Sequence, residues 1–325
     1  MPVRFLFAAV IFFPAAIIAQ RLPEFLVEPG EILRTERLTA GTFTRNPQDF
    51  IECRGRHFEG DPPPGISADF NGTQTGVAIL NNQSVEEAVR AGSANQKALK
   101  SALARLEAAI RADPLFFPAI YNAGRILLLM NLPRRAVRYF DRARSVLPEF
   151  SGSYLNLGRA YARSGEDAAA VESFRQASRL NPSDALPLIA LGDFYLERKS
   201  TQQARYYFER ILALRPEYPD AKIGLARLYM EQGNIVRAQI ILRSVPTDNQ
   251  DGSERTDYNR ALHYYLAVIA SELRDYGDSV RQFDRLLKHP EDPFFLEFPI
   301  QEIRRRREII FRLAKSEGTE INEDE

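Results

Sequence analysis

The sequence predicts an all-α solenoid of stacked helical hairpins behind an irregular N-terminal arm, and three observations carry that prediction. Residues 117–150, 151–184, 185–218 and 219–252, written beneath one another without a gap, place the same residue types at the same offsets, a period of 34. Within each period Gly or Ala stands at the eighth position and Ala at the twentieth, while large residues stand at the eleventh and twenty-fourth, all at helical spacing. The composition is globular, with 45% of 325 residues hydrophobic and 43 Lys+Arg against 43 Asp+Glu. A disordered chain of this length would be less apolar or strongly charged. A balanced charge gives no overall pull toward nucleic acid or a membrane surface.

At the N-terminus, Arg4 precedes the apolar run FLFAAVIFFPAAIIA, residues 5–19, which ends before Gln20-Arg21. A positive flank, an apolar stretch and a small residue at the cut predict a secretory signal peptide over 1–19, cleaved after Ala19. Its 15 apolar residues include Pro14 and are short for a spanning helix of about 20, which leaves an uncleaved anchor as the alternative. The expectation is export, to a periplasm or the outside, with no membrane insertion after cleavage. Residues 20–82 follow, rich in turn formers such as Asp61-Pro62-Pro63-Pro64-Gly65 and Asn71-Gly72, with a strand-like run at Thr75–Leu80. This segment predicts an extended arm or small β elements packed on the first repeats. Its sequons, at Asn71 and Asn82, are glycan acceptors only in a cell that glycosylates secreted proteins.

The repeats occupy 83–293. The copy from Ser151 carries Tyr154, Leu157, Gly158 and Tyr161 in one helix, Gly165 in a turn, Ala170, Phe174 and Ala177 in a second helix, then Pro182. Its neighbours repeat this with Gly124, Leu127, Ala136, Phe140 and Pro148 before it, and Gly192, Tyr195, Ala204, Phe208 and Pro216 after it. The small residues let two helices approach, the large ones fill the space beside them, and the proline cannot continue the second helix. A fourth copy has Ala226, Tyr229, Gly233, Ala238 and Leu242; a fifth resumes at Arg260 after an insertion at 253–259. Ahead of all of them, Ala102, Leu106, Ala109 and Pro114 match the second half of a repeat whose first half, around 84–91, is poor. Residues 294–325 predict a capping helix, with Ile303, Ile310, Phe311 and Ala314 on one face, and an acidic tail. Its run Arg304–Arg307 is either a solvated face or a contact for an acidic partner.

The period and its residue pattern over 117–293 resemble the tetratricopeptide repeat family. The resemblance implies a right-handed superhelix whose first helices line a concave groove that binds an extended peptide or a helix of a partner protein. It also implies which positions face the groove: the second, fifth, ninth, twelfth and thirteenth of each copy, with an asparagine often at the sixth to hold a ligand's backbone. Here those positions give Tyr121, Asn122 and Arg125 in the first copy and Asn156, Arg159 and Arg163 in the second. They give Asp193 and Glu197 in the third and Arg227 and Glu231 in the fourth, with Ile189, Leu196, Ile223 and Met230 between. An amide donates and accepts at once, which suits a peptide backbone whatever its side chains. The groove is then expected to be basic toward its N-terminal half and acidic toward the other, an arrangement that orients a ligand. Family members that grip a free C-terminal carboxylate begin with a lysine where this chain has Tyr121.

Little in the sequence points to chemistry. Cys53 lies beside Arg54 and Arg56 with His57 four residues on, the one candidate for an activated thiol or half a metal site. One cysteine excludes an intramolecular disulfide framework and a Cys-based zinc site. No phosphate loop, dinucleotide fingerprint, nucleophile elbow or paired-His motif is present. The expectation is a non-catalytic interaction scaffold with no cofactor, no metal and no nucleic-acid partner. The alternative is a structural subunit whose groove is filled by its own arm and whose convex face and C-terminal basic helix meet partners.

Overall fold

The structure, a computed structural model, describes residues 42–45, 49–54, 74–92, 95–246, 256–287 and 300–318. The signal segment, His57, Asn71 and the proline run at 62–64 lie outside the described residues.

The described chain opens with an antiparallel hairpin, β1 (Thr42–Arg45) and β2 (Ile51–Arg54), in which Phe43 faces Cys53 and Arg45 faces Ile51. Helices follow in pairs: α1 (Gln74–Ala91) with α2 (Gln96–Ala112), and α3 (Phe117–Leu129) with α4 (Pro133–Val146). Next come α5 (Ser151–Ser164) with α6 (Asp167–Leu180), and α7 (Leu186–Glu197) with α8 (Thr201–Leu214). The array continues through α9 (Pro219–Glu231) with α10 (Ile235–Arg243) and α11 (Thr256–Glu272) with α12 (Tyr276–Leu287), and closes with α13 (Ile300–Ser316). Odd-numbered helices touch one another in series from α1 to α11 and form an inner row, and each even-numbered helix packs between two of them. This is the all-α repeat solenoid that the period predicts.

The turn inside each hairpin fixes the register. Asn131, Gly165, Lys199, Gly233 and Arg274, all at the fifteenth position of their copies, adopt positive φ between 56° and 82°. In each, the next residue's N–H bonds to the carbonyl of the eleventh position: Leu132 to Leu127, Glu166 to Tyr161, Ser200 to Tyr195, Asn234 to Tyr229 and Asp275 to Ala270, at 2.8–2.9 Å. This is the left-handed closure that satisfies orphan carbonyls at a helix end. Only two of the five residues are glycines, so the sequence shows the device at Gly165 and Gly233 and hides it at the other three. Second helices stop where the sequence requires: α6 ends at Leu180 before Asn181-Pro182, and α8 at Leu214 ahead of Pro216.

Small-against-large packing joins the rows. A Cβ on Gly124, Gly158 or Gly192 would lie 2.7, 2.5 or 2.5 Å from Phe140, Phe174 or Phe208, the aromatic residue of the same hairpin. Phe208 is held by the next hairpin as well, because a Cβ on Gly224 would collide with the same ring.

Two boundaries differ from expectation. Thr75–Leu80 is not strand-like but the start of α1, so the helical array begins at Gln74 and its first hairpin is complete. Val77, Ala78, Asn81, Ser84, Val85 and Ala88 are all buried, a three-and-four spacing that a short apolar run conceals. At the fifth copy, α11 begins at Thr256, so the end of the expected insertion is an added helical turn. The C-terminal helix buries Ile303 and Ala314 and half-buries Ile310 and Phe311, and Arg307 forks onto Asp284 at 2.8 and 3.1 Å. Arg306 pairs with Glu302 of its own helix at 3.0 Å.

Candidate functional site

The inner row positions a ladder of amides. Asn81 and Asn82 lie in α1, Asn122 at the sixth position of α3 and Asn156 at the sixth position of α5, and all but Asn82 are fully buried. A buried amide without partners costs roughly 1–3 kcal/mol, so what satisfies these groups defines the site.

They are satisfied by strand β2. Asn122 accepts from the Ile51 N–H at 2.8 Å and donates to the Ile51 carbonyl at 2.7 Å. Asn82 repeats the pattern two residues along, accepting from the Cys53 N–H at 2.9 Å and donating to the Cys53 carbonyl at 2.7 Å. The spacing follows from strand geometry: Ile51 and Cys53 point their backbone groups to one edge, leaving Glu52 to pair with β1 on the other. Asn81 adds a bond to the Ile51 carbonyl at 2.9 Å and accepts from Asn122 at 2.7 Å, tying the two helices together behind the strand. Phe50, Ile51 and Cys53 are buried with the core of the first hairpins.

Just before the strand, Asp49 takes a positive φ of 62°, a conformation that aspartate tolerates, and turns its carboxylate into the groove. Tyr121 donates its hydroxyl to Oδ1 at 2.8 Å, and Asn156 donates to Oδ2 at 2.6 Å. Arg159 reaches Oδ2 at 3.2 Å and the Arg125 guanidinium stands 3.6 Å away. Arg125 also lies over the Phe50 ring, 5.6 Å from its centroid, and both arginines donate to Asn156 Oδ1 at 3.1 Å. With the Asp49 side chain only 15% exposed, these are charge-assisted bonds in a partly dry site, stronger than their surface counterparts.

The residues predicted to face the groove thus divide. Tyr121, Asn122, Arg125, Asn156 and Arg159 meet around Asp49–Ile51 of the chain's own arm, and the basic N-terminal half of the groove is neutralised there in part. Arg163 instead donates to the Leu128 carbonyl at 3.1 Å. Asp193 pairs with Arg227 at 2.6 Å, and Arg227 lies over Tyr265 at 5.8 Å. Glu197 stands 3.7 Å from Arg198 with its side chain 61% exposed, and Glu231 is exposed. Ile189 and Met230 are half-buried, whereas Leu196 and Ile223 belong to the core. Asp49 and Asn81 carry no motif in the sequence, and Asn82 stands out there only as a sequon. Their signal is faint: a period-two stretch, Ile51-Glu52-Cys53, and two adjacent amides on one helical turn.

The Cys53 environment runs against thiolate chemistry. Burial pushes its pKa well above the ordinary thiol value, the Glu52 charge adds to that, and the hydrogen bond from Asn81 opposes it. A thiol kept neutral under α1 is the opposite of an activated nucleophile. Among the described residues there is no cluster of three or more His, Cys, Asp or Glu groups able to hold a metal ion. None of the described helices is long and apolar enough to cross a membrane. Asn82, the second sequon, has both ends of its amide committed to Cys53 in the folded chain.

Family models of the tetratricopeptide repeat match residues 121–185 and 195–262, so these stretches are tetratricopeptide repeats. The chain is 27% identical over 194 residues to anaphase-promoting complex subunit 7 of Arabidopsis thaliana, covering 59% of this chain and 33% of that protein. It is 23% identical over 184 residues to the protein O-mannosyl-transferase TMTC3 of Homo sapiens, covering 51% and 19%. The chain therefore spans a third or less of the length of these relatives. Among solved structures, a tetratricopeptide repeat protein from Parabacteroides merdae ATCC 43184 superposes with a TM-score of 0.58 at 15% identity, over 74% of this chain and 86% of that one. The Cut9–Hcn1 hetero-tetramer of the APC/C gives 0.51 at 13% identity, over 79% and 52%. At these identities the likeness establishes the fold, a repeat architecture that generally mediates protein–protein interaction.

Proposed function

We propose that the chain is an exported, non-catalytic interaction scaffold in which a partner's extended segment docks on the C-terminal half of the concave face, while the N-terminal half is held by the chain's own arm. The observation that carries this reading is the seating of Asp49–Ile51 on Tyr121, Asn122, Arg125, Asn156 and Arg159. Beyond it, Glu197 and Glu231 present exposed carboxylates beside half-buried Ile189 and Met230. That chemistry fits a segment carrying basic and apolar residues. Export rests on the signal-like residues 1–19.

A second reading, in which partners meet the convex face, is favoured by large apolar residues on the outer helices. Tyr206 and Ile240 occupy the same position of consecutive copies and are 58% and 64% exposed. Arg304 and Arg305 of α13 are exposed as well.

Affinity capture from native extract with the full chain, read by mass spectrometry, separates these. Loss of a specific protein with Glu197→Lys/Glu231→Lys, and its retention with Tyr206→Lys/Ile240→Lys and with Arg304→Glu/Arg305→Glu, is the result expected. The reverse pattern selects the convex face, and retention by all three variants rejects both. The mass of the chain recovered outside the cytoplasm tests export, with removal of residues 1–19 expected.

A further inference from the structure

Strand β2 is bound as a ligand is bound. Its backbone is read by side-chain amides of other elements, Asn82 on Cys53 and Asn122 on Ile51, and the half-buried acid just before it, Asp49, is read by a phenol, an amide and two guanidinium groups. Those contacts span 29 to 110 residues of sequence, and 19 residues, 55–73, separate β2 from α1. A tether of that length reaches up to about 60 Å when extended, so the strand is covalently free to leave and to return. We propose that residues 49–53 are a tethered ligand that gates the N-terminal half of the groove, and that the cradle beneath accepts in its place a partner strand of the same chemistry. That chemistry is an aspartate, then an aromatic residue over Arg125, then a β-branched residue, with a small residue two places further.

The requirements follow from the seat. The acid must meet Arg125 and Arg159, whose charges nothing neutral would satisfy. The next residues must be apolar because Phe50 and Ile51 are buried, and the last must be small because Cys53 lies against α1 with 1% of its surface exposed. The residue at Glu52 is unrestricted by the amides, which bond its neighbours. Tethering holds the arm at a millimolar effective concentration, so a competing strand binds only in proportion to the fraction of open chain. Cys53 reports that opening directly, being buried when the arm is seated. The proposal concerns the half of the groove opposite Glu197 and Glu231 and stands or falls separately from the docking described above.

The test uses the full chain and a fluorescent synthetic peptide of residues 47–54 carrying Cys53→Ser. In Asp49→Arg, three cations converge and expel the arm. Peptide affinity is expected to rise at least tenfold over wild type, to vanish in Asp49→Arg/Asn122→Ala, and to be absent for a peptide of scrambled order. Equal affinity for wild type and Asp49→Arg, or equal binding of the scrambled peptide, overturns the proposal. Should Asp49→Arg fail to fold by circular dichroism, the wild-type chain answers by native-state thiol labelling. Release of the arm alone predicts Cys53 labelling whose rate is insensitive to low denaturant. Labelling that tracks global unfolding at every concentration shows an arm that never leaves alone, and overturns it equally.

Discussion

Replacing Asn122 by alanine isolates what the amide ladder contributes. Three hydrogen bonds disappear, two to Ile51 and one to Asn81. At about 1 kcal/mol net for each, that is about 3 kcal/mol. The Ile51 carbonyl keeps its bond from Asn81. The Ile51 N–H and Asn81 Oδ1 each lose the Asn122 amide, and a buried group left without a partner costs about 1–3 kcal/mol more. A total of about 5–9 kcal/mol is therefore expected at the arm's seat. How it appears depends on cooperativity. If the arm unfolds with the solenoid, the urea midpoint falls by the whole amount; if the arm detaches first, the global loss is capped and Cys53 labelling accelerates instead. Urea denaturation and thiol labelling on one preparation distinguish the two. A global loss below about 1 kcal/mol with Cys53 still protected would refute the reasoning, since the amide would then hold nothing.

Further expectations concern other parts of the molecule. Gly192→Ala forces a Cβ against Phe208 at 2.5 Å, and Gly224 blocks the ring's retreat; a net loss of about 1–3 kcal/mol is expected by thermal unfolding, reduced when combined with Phe208→Leu. Lys199→Gly and Arg274→Gly relieve left-handed strain at φ 57° and 60°, and each is expected to raise stability by about 0.5–1 kcal/mol, whereas a glycine at helical Arg179 lowers it by about the same. The Cys53 thiol holds its proton in the folded chain above the ordinary value of 9.0 at which the unfolded chain releases it. Its share of stability is thus full below that pH and is lost above it by about 1.4 kcal/mol per pH unit, until the folded pKa is reached. Cys53→Ala should flatten the pH dependence of unfolding between the two values.

How much of this the sequence discloses depends on the range over which each feature is written. The repeats are legible because Gly158 and Phe174, or Gly192 and Phe208, lie 16 residues apart and recur at a fixed period, so one hairpin's packing is printed several times over. The turns are half legible: glycine announces a positive φ at two of five places, while Asn131, Lys199 and Arg274 adopt it under the pull of the flanking helices. Thr75–Leu80 misleads because six apolar and small residues carry no period of their own. The cradle is the least legible part. Asn122 and Asn156 stand out by position, yet their partners Asp49 and Ile51 lie 71 to 107 residues upstream in a stretch without repeat, and only the fold brings them together.

The arm also changes how the solenoid bears load. In a stack where each hairpin touches only its neighbours, bending and twisting are shared along the length, as in a uniform spring. Here one short segment is fastened at once to α1, α3 and α5, and those three elements cannot rotate past one another without tearing its bonds. The compliance of the molecule is therefore uneven: stiff from α1 to α5 and pliant from α7 onward. A pull between its ends would therefore lengthen the C-terminal half more than the N-terminal half.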